Sequence, residues 1–254
     1  EYCAGYQHDD PTIVGFSHTH LSGTGHSDLG DIMIMPQTGK LMLNPGTAQN
    51  PDAGYRSRYS HSTEKAAPGY YEVTLQDNGV RAQLTATQRV GVHKYTFPKG
   101  QDSRIILDLL HGIYNYDGKV LWSSIRVEND TLLTGYRITN GWAKCNYTYF
   151  AISLSKPIKD YGYRDMKRVK YRGFMGKLRL HENFPEISGR DIVAYFNFDN
   201  ATSQELVVKV ALSGVSTDGA LKNLRAEAAG KSFEQIYAET DNRWNEELDA
   251  VECK

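Results

Sequence analysis

Apolar and polar residues alternate with a period of two along most of the chain, which is the pattern of half-buried β-strands. An Asn78-Gly79 step separates two such runs, 70–75 and 80–87, and predicts a tight hairpin. The runs 120–127 and 132–138 predict another hairpin through a short polar turn. Further strands are predicted at 89–98, 104–110, 146–155, 192–198 and 206–212. The chain is therefore expected to consist mostly of short antiparallel strands.

Two parts of the chain give a weaker pattern. Residues 13–16 predict a short strand, and residues 32–35 and 40–43 predict two strands that are joined as a hairpin by Pro36-Gln37-Thr38-Gly39. Residues 159–189 are charged, rich in tyrosine and weakly periodic. They predict a long excursion from the sheets.

The period changes to about 3.6, the helical value, at Ser216. A short helix is predicted from there, and a second one from Ser232, which forms a capping box with Gln235. The second helix carries one apolar stripe, formed by Phe233, Ile236, Tyr237, Trp244, Leu248 and Val251. A stripe of this length predicts that the helix packs back on the sheets or leads into more protein.

Together these elements predict an all-β fold, an antiparallel two-sheet β-sandwich with a C-terminal helical linker segment. The change of period places the sandwich domain at residues 1–215 and the linker at residues 216–254. The sequence shows no repeat of fixed period, which argues against a propeller or a solenoid.

Composition and charge narrow the range of partners. The chain has 254 residues with 29 basic and 30 acidic side chains, a formal net charge of −1 and no basic stripe. Nucleic acid and anionic membrane surfaces are therefore poor partners. No run reaches the ~18 apolar residues that a membrane span requires. The 17 tyrosines favour a carbohydrate partner, because a ring face can stack on a sugar while its hydroxyl forms hydrogen bonds.

The three cysteines, Cys3, Cys145 and Cys253, lie far apart in the sequence. They match neither a metal signature nor a disulfide framework. Three unpaired thiols are expected, and one long-range disulfide with a spare thiol is the alternative.

The segment 15–31 concentrates polar chemistry directly before an apolar run. It contains three histidines, two aspartates and four glycines. The glycines allow a tight loop that a ligand can approach closely. His18, His20, Asp28 and Asp31 are then polar groups on a shaped loop, which is where function tends to be located.

Residue types alone leave three interpretations of this loop open. In the first, His18 and His20 on a strand point to one face and bind zinc, with His26 or Asp28 as a third ligand. In the second, the polar groups bind a sugar, together with aromatic residues that share a strand face with His93. In the third, the side chains only satisfy buried carbonyl and amide groups.

Several segments of the sequence together resemble one known family. They are 3–6, GFSHTHLSGTGHSDLGDI at 15–32, 58–61, 68–71, TATQRVGVHKYTFP at 85–98, and 244–245. In this order they resemble the N-terminal domain of glycoside hydrolase family 92, the calcium-dependent α-mannosidases. The string FSHTHLSGTG is long and chemically unusual, which makes the resemblance specific.

The resemblance implies a supersandwich-like β-sandwich, truncated at its N-terminus, whose helical linker leads to an α/α barrel absent from this chain. It implies α-linked mannosides as substrates, bound between the two domains and hydrolysed with inversion by a carboxylic acid and a carboxylate base. The catalytic carboxylates and most calcium contacts of the family belong to the barrel. No catalytic acid or base and no metal ligand is therefore expected here, and a periplasmic or extracellular location is implied.

The same resemblance makes this chain one wall of a mannose site. We expect His18, His20 and Asp28 to hydrogen-bond sugar hydroxyls or to brace the loop, with His93 close by. Tyr2 stands where the family usually has tryptophan, and we expect it to be a stacking platform for the sugar. Four isolated carboxylates are expected to be solvated or structural, namely Asp108, Asp165, Glu182 and Glu186.

Three functions follow from these observations. The chain is the non-catalytic part of an α-mannosidase, a stand-alone carbohydrate-binding module, or a scaffold that docks a partner through the helix carrying Phe233 and Trp244. Hydrolysis of an α-mannoside by the chain alone would contradict the first, and mannose affinity of the isolated chain would favour the second. Exposure of the helical stripe would favour the first and the third.

Overall fold

The computed structural model describes residues 5–21, 26–164, 185–200 and 204–250. The strands are β1 (Thr12–Ile13), β2 (Met33–Gln37), β3 (Ser57–Arg58), β4 (Lys65–Ala67), β5 (Tyr70–Thr74), β6 (Arg81–Ala86), β7 (Val90–Thr96), β8 (Ser103–Asp108), β9 (Val120–Asn129), β10 (Leu132–Thr139), β11 (Asn146–Leu154), β12 (Ile158–Tyr163), β13 (Glu186–Gly189), β14 (Val193–Phe198) and β15 (Glu205–Ser213). Two α-helices follow, α1 (Thr217–Ala228) and α2 (Phe233–Leu248).

The strands form two large sheets that pack face to face. One sheet has nine strands in the order β13-β9-β10-β11-β15-β7-β6-β5-β4, and the other has four in the order β12-β14-β8-β2. The neighbouring strands run antiparallel, and β1 pairs with β3 in a small third sheet. The predicted antiparallel two-sheet sandwich with a C-terminal helical segment is confirmed.

Alternation along β7 separates two cores, because successive side chains of a strand point to opposite faces. Tyr95 points between the sheets and belongs to the same buried cluster as Phe196 of the four-stranded sheet. Val92 points to the outer face of the large sheet, where it packs with Ile236 of α2. Each such side chain stabilises the fold by about 1.5–3 kcal/mol when it is fully buried.

The two helices are fixed at their ends. Ser232 accepts a hydrogen bond from the Gln235 amide, and the Gln235 side chain accepts one from the Ser232 amide, which confirms the predicted capping box. At the C-terminal end of α1, Lys209 of β15 donates to the carbonyl oxygens of Ala228 and Lys231 at 2.8 and 2.5 Å. A cation is favourable there because the last carbonyl groups of a helix have no partner within it.

The apolar stripe of α2 is buried in its first half and exposed in its second half. Phe233 and Ile236 are 2% and 0% exposed, whereas Trp244 and Leu248 are 47% and 53% exposed. The helix therefore packs back on the large sheet, as one of the two predicted alternatives required, and it also presents an apolar edge. Among the described residues, no helix combines the length and the apolar character that crossing a membrane requires.

The hairpin at Asn78-Gly79 is confirmed. Strands β5 and β6 pair with Val73 opposite Ala82. Gly79 has φ +68°, a left-handed conformation that costs glycine little, and the Asn78 side chain accepts a hydrogen bond from the Val80 amide at 3.0 Å. The Asn-Gly step was sufficient to predict this hairpin, because tight hairpin turns favour Asn and Gly at their central positions.

The hairpin predicted between 32–35 and 40–43 is wrong. Strand β2 pairs with β8, and residues 40–43 form no strand. The Gln37 side chain explains the difference, since its amide oxygen accepts from the Met42 amide at 3.1 Å and its amide nitrogen donates to the Met42 carbonyl at 3.2 Å. A side chain thus takes the place of the neighbouring strand.

The excursion predicted over 159–189 is wrong at both of its ends. Strand β12 pairs with β14 in the four-stranded sheet, and β13 pairs with β9 at the edge of the nine-stranded sheet. Tyr163 is buried and Tyr161 packs against the same core, so tyrosine supplies the apolar positions of β12. Residues 165–184 of the predicted excursion lie outside the described part of the chain.

Candidate functional site

Several loops at one end of the sandwich surround an open pocket of about 1340 Å³. The pocket is lined by the turn between β6 and β7, the end of β15, the start of β11 and the loop that precedes β2. His18, His20, His93 and Trp244 are among its lining residues. We call it the strand-end pocket, and it brings together three of the five residues predicted for the site.

A chain of hydrogen bonds fixes the orientation of two of these histidines. His18 Nδ1 lies 2.6 Å from the Ile32 carbonyl oxygen, and His18 Nε2 lies 2.8 Å from His93 Nε2. His93 Nδ1 in turn lies 2.6 Å from the Tyr95 hydroxyl. A carbonyl oxygen only accepts, so His18 Nδ1 donates to Ile32. In the neutral ring His18 Nε2 then accepts from His93 Nε2, and the Tyr95 hydroxyl donates to His93 Nδ1.

Burial keeps both imidazoles neutral. It lowers the pKa of His18 to about 4, although the hydrogen bond to the Ile32 carbonyl opposes this shift. Burial also lowers the pKa of His93 well below its ordinary value, and the neighbouring His18 adds to the effect. The ring nitrogens of both residues are engaged within the protein, so this pair braces the wall of the pocket.

Gly91 of β7 allows His18 to lie against the strand. A Cβ atom at this position would lie 2.5 Å from Cδ2 of His18, closer than real Cβ contacts come. Glycine inside a strand often marks such a close approach. The position of His18 therefore depends on residue types in two distant parts of the sequence.

The loop before β2 holds an unusual backbone conformation. Leu29 and Ile32 have φ values of +66° and +54°, which residues with a side chain rarely adopt. The carbonyl of Ile32 is the group that accepts the hydrogen bond from His18. Each such residue costs about 1–3 kcal/mol, so the surroundings must hold the loop in place.

A buried ion pair supplies that support. Arg137 of β10 donates to Asp31 at 3.0 Å, and the two side chains are 0% and 1% exposed. The second oxygen of Asp31 accepts from the Thr19 hydroxyl at 2.7 Å. Arg137 is missing from the residues predicted for the site. The signal was present, since alternation places it on the same strand face as the buried Leu133.

His20 is the most exposed of the three histidines at the pocket. Its Nε2 lies 2.9 Å from the Ser17 hydroxyl, and its Nδ1 makes no hydrogen bond with the described residues. Desolvation lowers the pKa of His20, and the Asp31 carboxylate opposes this shift. His20 can therefore offer a ring nitrogen to a ligand hydroxyl.

Asp28 lies to one side of the pocket. It is buried, forms an ion pair with Lys119 and accepts a hydrogen bond from the Trp142 amide at 3.0 Å. Burial acts to raise the pKa of Asp28, but the hydrogen bonds from Lys119 and Trp142 outweigh it and lower the pKa. Asp28 therefore braces loops in this structure. Tyr2, the fifth predicted residue, lies outside the described residues.

The geometry gives the zinc interpretation no support. In the described ranges, no group of three or more His, Cys, Asp or Glu residues is arranged to hold a metal ion. His18 and His20 do not lie on a strand, so the expected geometry of the pair is wrong. Cys145 is a free, exposed thiol, while Cys3 and Cys253 lie outside the described residues.

The isolated carboxylates that the structure describes have structural or surface positions. Asp108 is buried and accepts hydrogen bonds from the Tyr55 hydroxyl at 2.5 Å and from the Leu110 amide at 2.6 Å. Glu186 is exposed and lies 3.6 Å from Arg126. Asp165 and Glu182 are outside the described residues.

Acid is expected to destabilise the fold through histidines that are at least half-buried. Burial lowers the pKa of His18 and of His111 to about 4 each, whereas an unfolded histidine titrates near ~6.5. Between these pH values the unfolded chain binds more protons than the folded one, so the free energy of unfolding falls as the pH falls from 6.5 to 4. Urea denaturation at several pH values measures this slope.

Substitution at the histidine pair is expected to reduce that slope. His93→Gln removes one buried imidazole, so the free energy of unfolding should depend less on pH than in the wild type. His8→Gln replaces an exposed histidine and is the matched control for the loss of a histidine side chain. Equal slopes in the wild type and His93→Gln would contradict the neutral, buried state of the pair.

Comparison with known proteins identifies the family of the chain. Residues 1–213 match the family model described as the glycosyl hydrolase family 92 N-terminal domain. The chain is 24% identical to an uncharacterized secreted glycosidase from Arthroderma benhamiae. The alignment covers all of this chain and 34% of that protein. The chain thus spans about a third of the length of this relative.

Two solved enzymes from Bacteroides thetaiotaomicron share the fold. The GH92 α-mannosidase BT3965, solved in complex with mannoimidazole, is 39% identical with a TM-score of 0.87, over 97% of this chain and 31% of that one. The GH92 inverting mannosidase BT2199 is 28% identical with a TM-score of 0.76, over 99% of this chain and 31% of that one. The family model covers most of the chain, and the chain belongs to the N-terminal domain family of glycosyl hydrolase family 92.

Proposed function

We propose that the chain is the N-terminal β-sandwich domain of an exo-acting α-mannosidase, in which it forms one wall of the mannose site. The observation that carries this proposal is the strand-end pocket, which is open and has an ordered wall of histidines. Its solved relatives support the proposal, because one is named an α-mannosidase and was solved with mannoimidazole, and the other is named an inverting mannosidase. An alternative is a stand-alone carbohydrate-binding module.

The residues of the pocket take different roles in this proposal. His20 hydrogen-bonds a sugar hydroxyl through its available ring nitrogen. His18 and His93 shape and stiffen the wall, since their nitrogens bond to each other, to Ile32 and to Tyr95. Stiffness matters because a preformed site loses less conformational entropy when it binds.

Tyr2 and Asp28 complete the proposed site. Tyr2 is assigned the role of a stacking platform for the sugar, which its aromatic ring suits. Asp28 is assigned a bracing role, which its ion pair with Lys119 and its hydrogen bond from Trp142 support.

The other wall of the site is assigned to a catalytic α/α barrel of the same enzyme. The exposed half of α2, with Trp244 at the pocket and Leu248 in the last turn, supports this assignment. Exposed apolar surface of this kind commonly marks an interface. The residues 216–254 would then be the linker between the two domains.

The catalytic groups are assigned to that barrel as well. The segment 15–31 contains two carboxylates. Asp28 is buried against Lys119, and Asp31 is buried against Arg137. Neither is placed to give or take a proton at a sugar. An inverting enzyme needs an acid and a base about 6.5–9.5 Å apart, with room for water.

Calcium, which the family resemblance implies, does not fit the described residues. They contain no cluster of three or more acidic, histidine or cysteine side chains that could hold a cation. We assign calcium binding mainly to the barrel. We also propose a periplasmic or extracellular location, which the description of one relative as a secreted glycosidase supports.

Turnover assays test this proposal. The 254-residue chain alone should not hydrolyse an α-mannoside, whereas a polypeptide that continues into the barrel should hydrolyse it with inversion at the anomeric carbon. Hydrolysis by the isolated chain would place catalytic groups within it and contradict the proposal. A continuous polypeptide that cleaves other glycosides but no α-mannoside would contradict the proposed substrate.

A further inference from the structure

Trp142 is an exposed aromatic residue that is held by contacts with Asp28 and His26. It lies in the turn between β10 and β11 and is 63% exposed. Its backbone amide donates to Asp28 at 3.0 Å, and its indole nitrogen lies 3.2 Å from Nδ1 of His26, which also lies 3.1 Å from the Ser27 carbonyl oxygen. The ring centroids of Trp142 and His26 lie 5.1 Å apart. The indole is therefore held in one position while much of its surface faces solvent.

The support of Trp142 is buried. The Asp28 carboxylate and the Lys119 ammonium form an ion pair in which both side chains are less than a tenth exposed, at 8% and 4%. A Cβ atom on Gly141 would lie 2.4 Å from one Asp28 oxygen, so only glycine allows the turn to approach this carboxylate. Removing two charges from water is costly, and a buried ion pair is weak evidence for stability. Its evident effect here is to fix the turn that carries Trp142.

Two more exposed rings belong to the neighbouring turn. Tyr114 and Tyr116 are 54% and 41% exposed, with ring centroids 5.9 Å apart. The Tyr116 hydroxyl donates to the Asn140 carbonyl at 2.8 Å, which joins this turn to the one that carries Trp142. Within 110–119 and 140–145, the large exposed apolar side chains are all aromatic.

We infer that Trp142, Tyr114 and Tyr116 form a second sugar-binding surface, which we call the aromatic platform. It would hold pyranose units of an oligosaccharide chain outside the strand-end pocket. Aromatic rings present flat apolar faces to the C–H groups of a sugar, while phenol and backbone groups bond its hydroxyls.

The fixed position of Trp142 favours a ligand over a passive surface role. A ring that is ordered before binding loses little rotational freedom when the sugar stacks on it. The choice of mannose for the sugar rests on the proposed function, whereas the stacking itself rests on the geometry of the platform.

Binding of oligosaccharides to the chain tests the inference, because all three rings belong to it. Isothermal titration with linear α-mannotetraose should show binding that Trp142→Ala weakens about tenfold. Trp142→Phe retains a ring face and should keep most of the affinity. Trp122→Ala changes an exposed tryptophan on the face of β9, at 42% exposure, and should bind as the wild type does.

The outcomes separate this inference from the proposed function. If the wild-type chain binds no oligosaccharide, or if Trp142→Ala binds mannotetraose as the wild type does while its melting temperature is unchanged, the platform is not a sugar site. If maltotetraose binds instead of mannotetraose and the binding depends on Trp142, the platform stands as a sugar site, its assignment to mannose is wrong, and the proposed function of the strand-end pocket is unaffected. Equal weakening by Trp122→Ala would show a general effect on the fold and overturn the inference.

Discussion

Arg137→Met is expected to lower the free energy of unfolding by about 3–5 kcal/mol. The substitution keeps most of the volume of the side chain but removes the cation that faces Asp31 at 3.0 Å. Asp31 is 1% exposed and would remain as a buried charge, with the Thr19 hydroxyl as the remaining side-chain hydrogen-bond donor among the described residues. The next residue, Ile32, has a strained backbone, so the loop is expected to loosen together with the ion pair. Urea denaturation at neutral pH measures the change.

A matched control separates burial from charge in that experiment. Arg126→Met removes a cation from the exposed side of β9, where Arg126 is 56% exposed, and should cost less than about 1 kcal/mol. The double variant Arg137→Met with Asp31→Leu removes both buried charges and should recover part of the loss. If Arg137→Met costs no more than Arg126→Met, the ion pair does not hold the loop.

His20→Ala is expected to lower kcat/KM for an α-mannoside by about 10- to 100-fold in a polypeptide that includes the barrel. The variant loses one hydrogen bond to a sugar hydroxyl, and that hydroxyl is left without its partner in the bound state. The melting temperature should stay nearly unchanged, because His20 is exposed. The hydrogen bond that it makes with the Ser17 hydroxyl is exposed as well, so its loss should cost little. Steady-state kinetics and thermal unfolding together measure the two effects.

His61→Ala provides the control for His20→Ala. His61 is also an exposed histidine with a nearby side-chain partner, Glu64, but it does not line the strand-end pocket. Its kcat/KM should match the wild type. If His20→Ala also retains full activity, the proposed contact between His20 and the sugar is wrong, and the family assignment is unaffected.

The sandwich could be predicted from the sequence because alternation carries most of the information. In β7, moving the register by one residue would exchange the faces of Val92 and Tyr95, so burial of one face fixes the strand. Local chemistry fixed the Asn78-Gly79 turn and the Ser232 capping box in the same way. These features depend on neighbours in the sequence and need no knowledge of the tertiary structure.

The missed elements depend on contacts between distant residues. Residues 40–43 look like a strand, but the Gln37 side chain bonds the Met42 backbone and β8 occupies the edge of β2. Strand β12 packs Tyr161 and Tyr163 against the core, in a stretch for which charge and weak periodicity had predicted an excursion from the sheets. Side-chain partners across the sheets therefore decide these cases.

The candidate site shows the same limit. The sequence indicated His18, His20 and His93 by residue type, and the structure places all three at the strand-end pocket. The hydrogen bond from His18 to the Ile32 carbonyl depends on the left-handed backbone conformation of Ile32. An isoleucine at this position does not predict that conformation. Arg137 is different, because a charge at a buried position of an alternating strand was a signal available in the sequence.

The most direct test of the proposed site is a crystal structure, with bound mannoimidazole, of a polypeptide in which the proposed barrel follows this chain. We predict that the inhibitor occupies the strand-end pocket between the two domains, with His20 within hydrogen-bond distance of a sugar hydroxyl and the His18–His93 hydrogen bond intact. An inhibitor bound by the barrel alone, with no atom in contact with His18, His20 or Trp244, would contradict the account.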